Sequence, residues 1–203
     1  SHELRTPLTP VLAGASVLEM IPDLPDQARS SVRMIRRNIE LEARLIDDLL
    51  DLTRVANGKL RLSLETVDVH EVIDSVLELF RSEIQVKQQD VHVHKDATHH
   101  YVLADRARLQ QMLWNLIRNA AKFTPDGGHI YVRTRDERMH VQISVEDTGI
   151  GIEPEQIGKL FNAFEQGDQK MTRQFGGLGL GLAITKALTD VHGGTVTAQS
   201  PGP

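Results

Sequence analysis

The sequence opens with a histidine beside a glutamate, in the run Ser1-His-Glu-Leu-Arg-Thr-Pro7. If this run is helical, His2 and Thr6 lie four residues apart and share one face. An exposed neutral imidazole is a competent nucleophile toward phosphorus, and Glu3 is placed to orient the ring or to accept its proton. These residues could therefore support phosphoryl transfer to a histidine. Taken alone, the run is better explained as a solvated histidine near a frayed helix end.

A second group of polar residues follows a helical spacing in Asn115-Leu-Ile-Arg-Asn-Ala-Ala-Lys122. Asn115, Asn119 and Lys122 lie four and then three residues apart, so they form one stripe beside an apolar face. The carbonyl oxygen of an asparagine is a hard ligand suited to Mg²⁺, and a lysine ammonium is suited to phosphate. A plain solvated helix face is the alternative interpretation.

An aspartate followed by two glycines ends a predicted strand in Val145-Glu-Asp-Thr-Gly-Ile-Gly-Ile152. Because an ionised carboxylate only accepts hydrogen bonds, Asp147 would pair with the exocyclic amine of adenine. The glycines allow the backbone to approach a flat ligand closely. Asp-Thr-Gly also occurs in aspartic proteases, which need two such aspartates sharing a proton. Only one copy is present here, so a protease would have to be a dimer.

Alternating glycines lead into a predicted helix in Phe175-Gly-Gly-Leu-Gly-Leu-Gly181. The backbone N–H groups and the dipole at a helix N-terminus attract anions. The preceding stretch, 166–175, carries Lys170 and Arg173 and would form a lid over phosphates. A flexible hinge has the same composition, so this segment alone is weak evidence.

Taken together, the order and spacing of these segments resemble the transmitter core of the sensor histidine kinases over essentially the whole chain. The resemblance implies that His2 is the phosphoacceptor, that Glu3 is its acid–base partner, and that Thr6 positions water in the phosphatase direction. It implies ATP and Mg²⁺ as cofactors, with Asn119 as the metal ligand. The residues that it implies for nucleotide binding are Asn115, Asn119, Lys122, Asp147, Gly149, Gly151, Ile152, Arg173, Gly177, Gly179, Leu180 and Gly181.

The activity that this resemblance implies is an ATP-dependent histidine autokinase. It would pass its phosphoryl group from His2 to an aspartate of a response regulator and also act as that regulator's phosphatase. The alternative outside the enzymes is an inactive dimerisation and docking module of a signalling complex. A gyrase- or MutL-like ATPase is disfavoured, because those relatives have a water-activating glutamate where this chain has Asn115, and an amide cannot take a proton from water.

The elements that must position these residues begin with a helical hairpin. Apolar residues at helical spacing predict one helix over 4–21 and another over about 27–55, separated by a Pro-Asp-Leu-Pro-Asp breaker. Two such wide apolar faces cannot be buried within one hairpin, so we predict a homodimer that forms a four-helix bundle. A hairpin packed on the rest of its own chain is the alternative.

The remainder mixes strands and helices, which predicts a two-layer α/β sandwich. The resemblance implies the Bergerat-type ATP-binding fold shared with gyrase, Hsp90 and MutL. We predict helices near 69–86, 105–122 and 181–191, and strands near 59–68, 90–95, 129–135, 139–146 and 195–200. The domains would be a dimerisation and phosphotransfer hairpin over 1–57, a linker and strand over 58–66, and a catalytic domain over 67–203.

Four histidines, His92, His94, His99 and His100, raise the possibility of a metal site. We interpret their segment instead as a solvated hairpin, since no carboxylate or cysteine stands out at ligand spacing.

Composition excludes several other functions. The 203 residues hold 23 basic and 28 acidic side chains, a formal net charge of −5, and no cysteine, which excludes disulfides and thiolate zinc sites. The acidic excess and the eight aromatic residues argue against nucleic-acid binding. No apolar run approaches the roughly 18 residues of a membrane helix. We therefore expect no membrane contact in this segment and a cytoplasmic location. Because the family carries a helix before this histidine, we also expect this sequence to be a piece of a longer protein.

Overall fold

The computed structural model of the chain describes residues 6–165 and 179–202. It divides the chain into two compact units, Ser1–Lys59 and Leu60–Pro203, and each is considered by itself. Four of the predicted site residues, His2, Glu3, Arg173 and Gly177, lie outside the described residues.

The first unit is a helical hairpin made of α1 (Leu8–Glu19) and α2 (Asp26–Ala56). Arg29, in the first turn of α2, closes the connection between them. Its guanidinium donates hydrogen bonds to the carbonyl oxygens of Glu19, Ile21 and Pro22, each at 3.2 Å. These carbonyls have no partner within α1, and a positive charge is favourable at a helix C-terminus. A single side chain therefore fixes the turn between the two helices.

Few of the described apolar side chains of the hairpin are fully buried. Among the described residues of this unit, the buried apolar side chains are Ala15 and Val32. The exposed large apolar side chains of the same unit are Val11, Val17, Leu18, Met20, Ile21, Met34, Ile35 and Leu49. An apolar surface of this extent is unusual on a surface that faces only water.

The second unit contains five strands and four helices among its described residues. The strands are β1 (Glu65–Asp68), β2 (Asp90–Lys95), β3 (Tyr101–Ala104), β4 (His129–Glu137) and β5 (His140–Asp147). The helices are α3 (Val69–Val86), α4 (Arg106–Phe123), α5 (Pro154–Ile157) and α6 (Gly181–Val191). The predicted helices over 69–86 and 181–191 are confirmed. The predicted strand over 59–68 is wrong except for its last four residues, and residues 195–200 form no strand.

The strands form one three-stranded sheet and one separate pair. In the sheet β2 runs parallel to β4, and β4 runs antiparallel to β5. The pair joins β1 and β3 in antiparallel register, with Val67 opposite Val102. The prediction of a solvated hairpin around the histidines is therefore wrong, because β2 and β3 belong to different sheets. The Asp136 carboxylate accepts the N–H groups of Thr98 and His99 at 2.8 and 3.0 Å, which fixes the loop between those two strands.

The core lies between the three-stranded sheet and two long helices. Apolar residues recur every three or four positions along α3 and α4, so each helix presents one continuous apolar face to the sheet. The largest fully buried side chains of this core include Ile73 and Val76 of α3, Leu113 and Ile117 of α4, and Ile130 and Val132 of β4. A helical hairpin followed by a two-layer α/β domain is therefore confirmed. This core holds α4, which carries the predicted asparagines and lysine, in one fixed position.

Candidate active site

The N-terminal end of α4 is held by Asp105. Its carboxylate accepts the backbone N–H of Arg108 at 3.2 Å and that of Ser63 at 3.0 Å. Burial acts to raise the pKa of this carboxyl, but backbone hydrogen bonds, these two first, together with the charge of Arg108 outweigh it, so the pKa lies below its usual value. The Asp105 N–H also donates to Nε2 of His192, just after α6, at 3.1 Å. The first turn of α4 is thereby joined to the end of the last helix.

The C-terminal end of α4 is held by two side chains from the connection between α3 and β2. Lys87 Nζ donates to the carbonyl oxygens of Ala121, Lys122 and Thr124 at 2.6, 3.1 and 3.1 Å. Gln89 Nε2 donates to those of Ala121 and Thr124 at 2.9 and 2.7 Å. The last carbonyls of a helix have no partner within it, and a cation there also interacts favourably with the negative end of the helix dipole. Sequence reasoning missed both residues.

Asn115 does not lie on a solvated stripe. Its side chain is 5% exposed, and its amide nitrogen donates to the carbonyl oxygen of Gly181 at 2.9 Å. The Thr185 hydroxyl donates to the same carbonyl at 2.9 Å. A Cβ built on Gly181 would lie 3.2 Å from Asn115 Oδ1, so glycine permits this close packing. The alternative interpretation of a solvated helix face is therefore wrong for Asn115, because α6 covers it, and its contact with phosphate stays a prediction.

Asn119 and Lys122 lie half-buried further along the same helix. No side-chain hydrogen bond joins the Asn119 amide to any part of the chain that the structure describes. Lys122 Nζ lies 4.6 Å from the centre of the Phe123 ring. Burial, and then the positive charge of Arg118, lower the pKa of Lys122 below its usual value. This end of α4 therefore presents a hard amide oxygen and an ammonium group about one turn apart.

Asp147 ends β5 and begins a tight turn. Its carboxylate accepts the N–H of Gly149 at 2.9 Å. Although the residue is exposed at the surface, partial burial of its carboxylate raises its pKa. The Gly149 hydrogen bond opposes this rise, and the neighbouring Glu146 adds to it. Part of this carboxylate is thus withdrawn from water while its second oxygen remains available to a ligand.

Gly149 brings the Asp147 turn against the end of α4. A Cβ at this position would lie 2.8 Å from the carbonyl oxygen of Phe123, closer than any side chain tolerates. The turn therefore packs directly on the residue that follows Lys122. The structure thus brings Asp147, Gly149 and the end of α4 together, and their binding of a nucleotide stays a prediction.

The other glycines predicted for the site shape its loops. Gly151 and Gly179 have φ values of +71° and +69°, the left-handed conformation that glycine adopts without strain. The N–H of Ile152 donates to the Ser200 hydroxyl at 3.0 Å. Leu180 is 2% exposed, so its side chain belongs to the core and only its backbone is placed to contact a ligand. Thr6 is exposed just before α1, in the other unit.

None of the helices described in the structure combines the length and hydropathy that crossing a bilayer requires.

Two family models match the chain. Residues 104–202 match "Histidine kinase-, DNA gyrase B-, and HSP90-like ATPase". Residues 1–58 match "His Kinase A (phospho-acceptor) domain". The chain is also 34% identical over 204 residues to the circadian input-output histidine kinase CikA of Synechococcus elongatus. That match covers 98% of this chain and 27% of CikA, so the chain spans little more than a quarter of that relative.

Solved structures of ShkA and of the histidine kinase ThkA are similar to this chain. Full-length ShkA in complex with AMPPNP matches with a TM-score of 0.76 and 33% identity, over 98% of this chain and 42% of ShkA. The catalytic domain of ThkA matches with a TM-score of 0.58 and 31% identity, over 65% of this chain and 85% of that one. ThkA in complex with the response regulator protein TrrA matches with a TM-score of 0.61 and 25% identity, over 95% of this chain and 53% of that one.

Proposed function

The chain belongs to the sensor histidine kinases, as their transmitter core, and we propose that it uses ATP to phosphorylate His2 and then passes the phosphoryl group to an aspartate of a response regulator. One observation carries this proposal above the others. Gly149 packs its turn onto the Phe123 carbonyl, so Asp147 lies beside the end of α4 that carries Asn119 and Lys122. A hydrogen-bond acceptor for the adenine amine therefore lies close to two groups that are suited to Mg²⁺ and phosphate.

The residues present fit a nucleotide and a magnesium ion. Asp147 would accept a hydrogen bond from the adenine amine, since its second oxygen is not needed by the Gly149 N–H. Asn119 would bind Mg²⁺ through its amide oxygen, which the described part of the chain leaves without a hydrogen bond. Lys122 would lie at the phosphates. Mg²⁺, when bound, would neutralise negative charge on the phosphates.

A kinase is favoured over an ATPase because the site offers no base at position 115. Asn115 donates to the Gly181 carbonyl, and an amide has no lone pair basic enough to take a proton from water. ATP bound here would be hydrolysed slowly and kept for another nucleophile. We propose that an imidazole nitrogen of His2 forms the new N–P bond as the bond to the ADP leaving group breaks, and that Glu3 accepts the proton.

The partners proposed are a second copy of this chain and a response regulator. The exposed apolar side chains of the hairpin support a homodimer, because two copies would bury them in a four-helix bundle. The complex of ThkA with TrrA supports a response regulator as acceptor. Thr6 would position the water that attacks the phosphorylated regulator in the phosphatase direction.

Labelling with γ-phosphate-labelled ATP and Mg²⁺ tests this function. We expect label on the protein that is stable to alkali and labile to acid, as a phosphohistidine is. The variant His2→Gln should carry no label, whereas His140→Gln, at an exposed histidine of β5, should be labelled like the wild type. Asn119→Ala should also lose labelling, through lost nucleotide binding.

Two results would contradict the proposal. Label that persists in His2→Gln would identify another acceptor. ATP binding by the wild type with no label at all would favour the docking module instead.

A further inference from the structure

Two clusters of candidate metal ligands lie outside the site described above. Among the described residues, Asp68, His70 and His100 form one, and Asp90, His92 and His129 form the other; the three ligand atoms of each lie within 4.8 Å of one another. We propose that Asp90, His92 and His129 bind a divalent transition-metal ion of the Zn²⁺ class. This site would be independent of the proposed kinase function.

The strand register creates the second cluster. β2 and β4 run parallel with Asp90 opposite His129. Asp90 and His92 are two residues apart on one strand, so all three side chains leave the sheet on the same face. Val91, between them, packs against the core on the opposite face. The three residues therefore lie on the side of the sheet that faces away from α3 and α4.

The distances are close to those of a tetrahedral site. Asp90 Oδ2 lies 3.6 Å from His92 Nε2 and 3.8 Å from His129 Nδ1. Zinc bonds of about 2.0–2.1 Å place neighbouring ligand atoms roughly 3.4 Å apart in a tetrahedron. The two distances from the Asp90 carboxylate therefore exceed this spacing by only a few tenths of an ångström, and all three ligand atoms lie within 4.8 Å of one another.

Backbone hydrogen bonds fix the strands that carry these ligands, and an aromatic ring packs against one of the ligands. The Asp90 N–H donates to the Gly128 carbonyl oxygen at 2.9 Å. The His129 N–H donates to the Thr148 hydroxyl, also at 2.9 Å. The His92 ring stacks on Tyr131 with centroids 4.8 Å apart and planes inclined by 15°. Because two paired strands fix the backbone of all three ligands, binding an ion would order mainly their side chains.

The exposure of the site suits an ion exchanged with solvent. The side chains of Asp90, His92 and His129 are 66%, 39% and 46% exposed. Three protein ligands with an open side leave the fourth position of a zinc ion to water. Two imidazoles and one carboxylate favour Zn²⁺, Ni²⁺ or Cu²⁺ over Mg²⁺, which prefers oxygen ligands. The site thus differs in chemistry from the one proposed for Mg²⁺ and ATP.

The first cluster is arranged for structure instead. The His70 and His100 rings stack with centroids 4.3 Å apart and planes inclined by 13°. A bound metal lies in the plane of each imidazole, so two stacked, nearly parallel rings cannot share one ion without rotating. His70 Nε2 is hydrogen-bonded to Thr134 Oγ1 at 2.9 Å, and Asp68 caps α3 through the His70 N–H at 2.8 Å. Rotation of the His70 ring would break its hydrogen bond to Thr134.

Calorimetric titration with Zn²⁺ tests the proposal on the whole chain, without nucleotide and with Mg²⁺ in excess. The wild type should bind one Zn²⁺ at its tightest site. His92→Gln and His129→Gln should each weaken that binding at least about tenfold, since each removes a ligand. His140→Gln, at an exposed histidine away from the cluster, should bind like the wild type. Thermal melts without metal should match in all four proteins, because the substituted side chains are exposed or half-exposed.

Three outcomes would overturn the proposal. One is no saturable Zn²⁺ binding tighter than about 100 µM by the wild type. Another is undiminished binding in both His92→Gln and His129→Gln. The third is binding that is lost in His100→Gln but kept in His92→Gln, which would assign the ion to the stacked cluster.

Discussion

Gly149 touches the backbone of Phe123 so closely that a Cβ on the glycine would lie 2.8 Å from the Phe123 carbonyl oxygen and 3.0 Å from its carbonyl carbon. Backbone atoms cannot rotate out of the way as the end of a side chain can. This contact therefore fixes how near the turn that begins at Asp147 approaches the last turn of α4. It links the residue proposed to bind adenine to the residues proposed to bind Mg²⁺ and phosphate.

Replacing Gly149 by alanine should weaken ATP binding. Either the turn or α4 must shift, which would misdirect the hydrogen bond proposed between Asp147 and adenine, at a cost of about 1–3 kcal/mol. We expect about a tenfold rise in the Kd for ATP, measured by calorimetry. Gly158→Ala is the matched control, because a Cβ there meets nothing within 4 Å. Equal ATP affinity in the two variants would show that ATP binding does not depend on the contact between Gly149 and Phe123.

Lys87→Met should destabilise the second unit and weaken nucleotide binding together. The methionine keeps the aliphatic length but leaves the carbonyl oxygens of Ala121, Lys122 and Thr124 without their cation. Hydrogen bonds to charged groups contribute about 1.5–3 kcal/mol each to stability, and water would replace part of that. We expect a loss of about 1–3 kcal/mol in the free energy of unfolding, measured in urea.

Lys95→Met is the control for Lys87. Lys95 pairs with Asp74 at 2.6 Å at the surface, and such pairs contribute about 0–1 kcal/mol. A Lys87 variant no less stable than the Lys95 variant would show that the end of α4 does not depend on this cation.

Sequence periodicity was sufficient to predict the long elements. Apolar residues at Val69, Val72, Ile73 and Val76 are buried as their helical spacing requires. The pairing of β1 with β3 was not predictable, because strands of four residues carry too little alternation to reveal a partner. Which distant segments pair depends on how they pack in the folded protein, and the local sequence pattern holds no information about that packing.

The motifs of the proposed site are visible in the sequence, whereas the residues that hold them in place are not. Asp147 stands out in the sequence as a hydrogen-bond acceptor at the end of a strand, and Gly149 as a glycine in the turn that follows it. The sequence left open a solvated face for Asn115, and it could not show that α6, which follows it by 66 residues, covers it. Lys87 lies 34 residues before the carbonyl of Ala121 that it binds, so it has the appearance of any surface lysine. His92 and His129 likewise meet only because β2 pairs with β4.

Stability should fall as the solution becomes mildly acidic. Burial, and then the nearby charge of His100, lower the pKa of His70 below its ordinary value of 6.5. The unfolded chain therefore takes up this proton at a higher pH than the folded chain does. The free energy of unfolding should decrease as the pH falls below 6.5 and stop changing, for this group, below the folded pKa.

His70→Gln tests that linkage. The glutamine amide is able to hydrogen-bond Thr134 Oγ1 but does not titrate, so urea unfolding at a series of pH values should show a flatter decline below pH 6.5. His140→Gln, at an exposed position, should keep the slope of the wild type. An unchanged slope in His70→Gln would assign the pH dependence to other groups.

Ile35→Glu should convert the proposed dimer to monomer. Ile35 is 49% exposed on α2, within the apolar surface of the hairpin. A carboxylate buried there in a dimer would lose its hydration without gaining a partner. Sedimentation should show the wild type as a dimer and the variant as a monomer. Met139→Glu, at a side chain 90% exposed in the second unit, should leave the dimer intact; a wild type that sediments as a monomer would remove the basis for the bundle.

Asp147→Asn should weaken ATP binding and reduce discrimination against GTP. The asparagine keeps the size of the side chain, but its NH₂ can donate to the guanine carbonyl that a carboxylate repels. An unsatisfied or misdirected polar group costs about 1–3 kcal/mol, or roughly 5- to 150-fold in affinity. Burial raises the pKa of Asp147, so ATP binding by the wild type should also weaken in acid.

Glu146→Gln is the matched control for Asp147, because the neighbouring carboxylate pairs with Arg133 at 2.8 Å at the surface and is not proposed to contact the nucleotide. Both substitutions remove one negative charge from the end of β5, so a general electrostatic effect on ATP would appear equally in each. A loss of ATP affinity and of the preference for ATP over GTP confined to Asp147→Asn would identify that carboxylate as the group that selects adenine. Equal changes in the two variants would mean that the charge, and not the hydrogen bond, governs binding.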